Sequence, residues 1–172
     1  MKLQNLVKIL DNLLQRALIV LMVVLVMDVC WQVITRFILD NPSSYTEEIA
    51  RFVLIWLSLL GASSAYRRGQ HLGIDIVVQK VPLSKRYLVN VFVRALIGLF
   101  ACTILIFGGA KLVMLTLHLE QVSAVLGVKM GWVYMVIPLS GLFFLVFTLA
   151  FISENLSKGL SSGTDPGRPT QS

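Results

Sequence analysis

An all-α integral membrane protein is predicted, with four transmembrane helices plus interfacial amphipathic helices and both termini cytoplasmic, and three features of the sequence carry that prediction. The first is composition: 56% of the 172 residues are hydrophobic and 14% are charged, where soluble domains carry roughly 25% charged residues. The mean hydropathy of +0.81 arises from several long apolar runs and not from one core. The second is the length of those runs, which matches the roughly 20 residues a helix needs to cross the hydrocarbon of a bilayer. The third is charge placement. Of 15 Lys and Arg, eleven fall on the side that carries both termini and four (Arg36, Arg51, Lys111 and Lys129) on the other, the bias that sets topology.

A single membrane domain over 1–160 is expected, with a disordered Ser-, Gly- and Pro-rich tail at 161–172. Leu3, Leu6, Val7, Leu10 and Leu14 share one helical face, which predicts an interfacial helix over 2–16. A first span over about 17–38 follows. Asp28-Val29-Cys30-Trp31 offers no cleavage site, so this helix is read as mature and not as a signal peptide.

After the turn at Asp40-Asn41-Pro42-Ser43-Ser44, the S-x-x-E pattern of Ser44 and Glu47 predicts a capping box at the start of a second span over 45–67. Arg51 at one end and Arg67 and Arg68 at the other extend long stems to the two interfaces. Ile74, Val77, Val78 and Val81 recur at helical spacing, predicting a second interfacial helix over about 72–82 that Pro82 ends. The third span, about 87–117, has a charge-free core between Arg94 and Lys111 and is long enough to tilt. A loop with His118, Glu120 and Lys129 leads to the fourth span over 132–154, where Trp132 and Tyr134 form an aromatic anchor and Pro138 falls within the first two turns.

The net charge of +6 borders apolar segments and forms no stripe with interleaved aromatics, so no nucleic acid is expected. Cys30 and Cys102 lie inside apolar spans and read as buried, unreactive thiols. Asp28, about two-thirds along its span, must face protein or water. It reads as a hydrogen-bonded helix-packing group, with a proton or cation carrier as the sharper alternative. Glu47, Glu48 and Arg51 cluster at the start of the second helix, and Arg36 lies close enough in sequence to close a network. Capping and the helix macrodipole account for these acids without catalysis, leaving structural pinning or partner docking. His71 and His118 invite a haem reading, but the topology sets them about a membrane apart. Gly61 with Ala65, and Gly108-Gly109 with Ala101, offer small surfaces for close helix approach. No phosphate loop, metal-ligand spacing or nucleophile-base pattern occurs; an enzyme is not expected, nor a cofactor or metal.

Local strings add a resemblance. Gln32-Val33-Ile34-Thr35-Arg36-Phe37, Tyr45-Thr46-Glu47-Glu48-Ile49-Ala50-Arg51, Trp56 with Gly61 and Ala65, and Arg68-Gly69-Gln70-His71-Leu72-Gly73-Ile74-Asp75 stand in the order and at the gaps of the DctQ-type small membrane subunit of TRAP (tripartite ATP-independent periplasmic) transporters, which they resemble. Ser123, Leu126, Trp132, Tyr134, Pro138 and Gly141 resemble that family's last block. Phe37 and Tyr45 depart from its usual Tyr and Trp, and Asp28 is not part of its pattern. The resemblance implies a scaffold subunit in a bacterial inner membrane, with a large TRAP membrane subunit, a periplasmic substrate-binding protein and membrane lipids as partners, serving sodium-coupled uptake of an organic acid such as sialic acid or a dicarboxylate. It would give Arg36, Glu47, Glu48 and Arg51 a role in fixing the external end, with Asp40, Asn41, Ser43 and Ser44 available to the binding protein. His71 and Asp75, with Arg67 and Arg68, would position the cytoplasmic interface. The competing readings are a haem- or quinone-binding anchor of an oxidoreductase, which a visible absorbance band would reveal, and a small exporter using Asp28.

Overall fold

The computed structural model describes residues 2–38, 43–68 and 83–162. Its elements are α1 (Lys2–Phe37), α2 (Ser44–Arg67), α3 (Leu83–Phe100), a π-helical segment (Ala101–Gly108), α4 (Gly109–His118), α5 (Met130–Tyr134) and α6 (Val136–Ser162). Four stretches are long and apolar enough to cross a membrane: Asn5–Phe37, Ser44–Arg67, Phe92–His118 and Met130–Ser153. Helices suit this composition because the bilayer core offers no water to backbone groups, and a helix satisfies them within one segment.

Three expectations are revised. The interfacial helix over 2–16 and the first span are one continuous helix, with no break at Arg16. Val7 and Leu14, expected on a membrane surface, are buried in the core with Leu60, Tyr66, Val136, Phe147 and Ala150. Of that face, Val7, Leu14 and half-buried Leu10 thus find protein, whereas Leu6 is exposed. The fourth span is interrupted at Met135 and then runs on to Ser162, past the expected end at 154 and into the first residues of the expected tail. The third span carries eight residues of π-helix that no sequence signal announced. The interfacial helix over 72–82, with His71 and Asp75, the turn residues Asp40 and Asn41, and the tail beyond Ser162 lie outside the described residues.

The inward stripe of α1 runs Leu14, Leu18, Leu21, Leu25, Asp28, Gln32 and Thr35, each buried or half-buried. Its alternating spacing of four and three is the knobs-into-holes seam of antiparallel or parallel helix pairs, and its partner is α2. Ile19, Val23, Val26, Met27 and Cys30, off that stripe, point outward. Cys30 is therefore an exposed thiol, contrary to expectation, because α1 packs along one stripe only; Cys102 is half-buried.

α6 is the central helix, packed against α1, α2, α3 and the π segment. Close approach is what centres it. A Cβ on Gly141 would lie 2.7 Å from Leu105 Cβ and 3.2 Å from the Ala101 carbonyl oxygen, and one on Gly98 would lie 3.0 Å from Thr148 Cγ2. Ala101, Leu105 and Gly109, spaced by four, form the buried row that meets α6. Hydroxyls tie the same helices together. Ser63 Oγ donates to Leu59 O at 3.1 Å and approaches Ser140 O at 3.4 Å. Thr148 Oγ1 donates to Phe144 O at 2.8 Å and lies 2.9 Å from Tyr66 Oη. In a span, such hydroxyls join helices that apolar surface alone would not distinguish from lipid.

Candidate functional site

The two ends of the bundle differ in chemistry. At the end bearing the start of α1 and the end of α6, cations lie over rings: Arg94 is 3.4 Å from the Phe151 ring centroid and 5.7 Å from that of Tyr66, and Arg67 is 6.0 Å from Phe147. Arg stems reaching an interface are held there by aromatic faces, an attraction that strengthens where water is scarce. Arg68 is exposed, and its backbone N–H closes α2 on Ser64 O at 3.2 Å.

The opposite end holds the sequence-predicted polar cluster, rearranged. Ser43, not Ser44, is the N-cap of α2, at φ −82° and ψ 105°, and its side chain makes no capping bond. Instead Thr46 Oγ1 donates to Ser43 O at 2.9 Å. The expected capping box is absent because Ser44 is already helical, which moves Glu47 one place too far to reach back. Glu47 pairs with Arg51 at 3.3 Å, both side chains about two-thirds exposed or more. Such a pair contributes about 0.5 kcal/mol or less after solvent screening. Arg36 does not close this network among the described residues; it lies 5.9 Å from the centroid of its neighbour Phe37.

Glu48 does something the local sequence did not signal. It points away from Glu47 and Arg51, and its Oε2 accepts three bonds from the loop between α4 and α5. Ser123 Oγ donates at 3.2 Å, Val125 N–H at 3.3 Å and Leu126 N–H at 2.8 Å. Its place near the start of α2 adds the favourable end of the helix dipole. The loop is itself tightly tied. Ser123 N–H donates to Val128 O at 2.9 Å, Met130 N–H to Gln121 O at 2.8 Å, and Val128 N–H to Ser123 Oγ at 3.3 Å. Glu120 and Gly127 hold positive φ of 48° and 65°, the left-handed region where glycine is at ease and other residues are uncommon. Carboxylate bonds to backbone N–H groups are charge-assisted and among the stronger protein hydrogen bonds.

Below this loop, Pro138 accounts for the one-residue break in the fourth span, and Trp56 finds its partner beside that break. Proline donates no N–H and crowds the carbonyl four residues earlier, so the helix ends at Tyr134 and restarts at Val136, putting Pro138 in a first turn where a missing N–H is harmless. A carbonyl at the break, Val133 O, accepts the Trp56 indole N–H at 3.0 Å. Trp56→Phe removes that donor while keeping an aromatic ring; it is expected to cost about 1 kcal/mol, read as a lowered unfolding midpoint in detergent. Gly109 approaches the same proline, with a Cβ position 2.8 Å from Ile137 Cγ2 and 3.0 Å from Pro138 Cδ.

The other small residues are used less tightly. Gly61 meets Leu18 at ordinary contact, 4.0 Å, Ala65 is half-buried, and Gly108 is exposed with nothing nearer than 3.8 Å. Asp28 accepts from Gln32 Nε2 at 2.8 Å, one turn along its own helix. Of the residues that matter to this geometry, Ser123 and Leu126 were visible only through the family-like block, and Gly131, whose Cβ position would run into the Leu117 side chain, was not singled out. Among the described residues, no three His, Cys, Asp or Glu side chains gather as metal ligands.

This is a polytopic α-helical membrane protein whose described helices bind one another through apolar contacts, hydroxyls and one carboxylate that joins distant parts of the chain. The chain belongs to the DctQ component family of tripartite ATP-independent periplasmic transporters, whose family pattern matches residues 22–158. It is 28% identical over 147 residues to the sialic acid TRAP transporter small permease protein SiaQ of Vibrio cholerae, covering 83% of this chain and 81% of that protein. A TRAP transporter small permease protein of Haemophilus influenzae is 28% identical over 110 residues, 64% of this chain and 66% of its own length. The sialic acid TRAP transporter permease protein SiaT of Haemophilus influenzae is 31% identical over 74 residues, 43% of this chain but only 12% of that protein. Proteins of this family are transport components and not enzymes.

Proposed function

We infer that this chain is the bracing subunit of a three-part importer in a bacterial inner membrane. Its helices hold a large TRAP permease subunit in the bilayer, and its loop end, facing the periplasm, helps dock the substrate-binding protein. Both termini are cytoplasmic in this reading, as the distribution of Lys and Arg favours. The transported compound is an organic acid taken up with sodium. Sialic acid is the first choice because two of the relatives carry it in their names, with dicarboxylates as the second.

The observation that carries the bracing role is the contrast between inside and outside. Apart from the Asp28–Gln32 pair on the inward stripe of α1, the described interior is filled by apolar groups and hydroxyls bonded to helix carbonyls, whereas Ile19, Met27, Phe107 and Met114 turn broad apolar faces outward. A conduit for an anion needs polar groups along a path; a brace needs apolar surface for lipid and for a partner's helices. Proteoliposomes containing the large permease subunit, with and without this chain, test the reading under an inward sodium gradient with sialic-acid-loaded binding protein outside. Uptake is expected only when both membrane proteins are present. Transport by this chain alone, or full transport by the large subunit without it, would sink the proposal, and replacing sialic acid by a C4-dicarboxylate with its own binding protein decides the substrate class.

A further inference from the structure

The third span and α6 touch closely at two levels and part between them. A Cβ on Gly98 would lie 3.0 Å from Thr148 Cγ2, and one on Gly141 would lie 2.7 Å from Leu105 Cβ. Between those contacts Ile97, Phe100, Ala101 and Phe144 line a cavity of about 210 Å³. Ala101 is the first residue of the π segment, and Phe100, at the rim, is exposed, so the slot opens sideways to the bilayer. Pinned on both sides, the slot cannot close by collapse, and an empty apolar slot weakens a fold. Water does not suit it, because these side chains offer none of the roughly two to four polar partners that a buried water needs.

Arginines stand on the same helix faces nearer the end of the bundle. Arg94 precedes Ala101 by seven residues, and Phe151 follows Phe144 by seven in α6, which at 1.5 Å per residue sets both about 10 Å from the slot. Arg94 lies 3.4 Å from the Phe151 ring centroid and 5.7 Å from that of Tyr66, and Tyr66 is followed by half-buried Arg67 and exposed Arg68. A guanidinium carries its five donors in one plane, so its face can rest on a ring while its edge meets an anion. A partner's helix, about 10 Å across, is too wide for the slot, whereas an acyl chain is thin.

We propose that this slot is a binding site for an anionic phospholipid. One acyl chain lies between the third span and α6 against Ile97, Ala101 and Phe144, and the headgroup phosphate meets Arg94. Basic pockets between transmembrane helices take anionic headgroups for the same reason. The arginine favours charge, and the slot favours a chain over free phosphate.

The test titrates the delipidated full chain in detergent with phosphatidylglycerol and, separately, with phosphatidylcholine of the same acyl chains, counting bound lipid by native mass spectrometry. Wild type is expected to bind phosphatidylglycerol about tenfold more tightly, and Arg94→Gln to lose that preference. Ile97→Trp, which fills the slot, is expected to weaken both lipids about threefold or more. Equal affinity of wild type for the two lipids, or an unchanged preference in Arg94→Gln, overturns the proposal. Glycerophosphate should not compete; competition at the lipid's own concentration would reveal a phosphate site that needs no chain, and overturns it as well. If Arg94→Gln does not fold, the wild-type chain decides through phosphatidylglycerol bearing a photoreactive diazirine in mid-chain. Labelling of residues 97–101 and Phe144 is expected, and its absence there removes the site. The same labelling is expected when the chain is co-purified with its large permease subunit, and its loss in that complex would give the slot to the partner and overturn the assignment.

Discussion

Replacing Gly109 by valine is expected to lower the unfolding midpoint of the detergent-purified protein by about 5–10 °C. The reasoning starts from space. A Cβ built on Gly109 lies 2.8 Å from Ile137 Cγ2, 3.0 Å from Pro138 Cδ and 3.1 Å from the Pro138 nitrogen. A proline ring and its backbone cannot turn aside as the end of a long side chain can. The two helices must therefore separate just where the π segment hands over to α4 and where α6 begins. Overpacking of this kind costs about 2–3 kcal/mol, and each kcal/mol moves the midpoint by about 2–4 °C in a chain of this size. The adjacent glycine supplies the control. Gly108 is exposed, and the nearest atom to its Cβ position is 3.8 Å away. Gly108→Ala is expected to leave stability unchanged or raise it by about 0.5–1 kcal/mol, through the lower entropy of the unfolded chain. Equal losses at both positions would show that the approach to Pro138 is not what holds these helices.

Glu48→Ala is expected to free the loop while leaving the helices in place. Three donors lose their acceptor together; Val125 is exposed and Leu126 half-buried, while Ser123 is buried, so the cost falls at about 1.5–3 kcal/mol. Amide hydrogen exchange is the direct measurement. Val125 and Leu126 should exchange about tenfold or more faster, because protection tracks the local opening free energy, while amides in the middle of α6 keep their wild-type rates. Glu48→Gln, which retains an acceptor but not the charge, is expected to fall between. Glu47→Ala should have almost no effect on the same amides, since its bond is an exposed pair with Arg51. Unchanged exchange at Val125 and Leu126 in Glu48→Ala would mean that the loop is held by its own turn bonds.

The contrast between Glu47 and Glu48 marks how far the site was legible. Both acids, with Arg51 and the residues at the start of α2, stood out in the sequence as a pinning or docking cluster. The i, i+4 pair of Glu47 and Arg51 could be read directly, because four residues apart on a helix is a fixed distance. What Glu48 holds could not, since its donors are 75 to 78 residues away. The capping box failed for a related reason: a one-residue shift in where α2 begins costs little locally, and it removes the geometry that Ser44 and Glu47 needed. Among the small residues, the pattern offered Gly108 and Gly109 as equals, although only one of them faces α6.

That this chain holds four helices long and apolar enough to cross a membrane, and roughly where they lie, was readable from residue order alone. Lipid makes those questions local, because every backbone group must be satisfied within its own segment and length alone matches hydrocarbon thickness. The packed fold was needed to show that Val7 and Leu14 pack against protein, that α6 sits at the centre, that the third span carries a π segment, and that Glu48 bonds the loop between α4 and α5. Each of these depends on which faces meet. In a chain whose helices are apolar nearly all round, periodicity leaves that choice open, and it is settled by small residues, hydroxyls and one carboxylate finding partners far away in sequence.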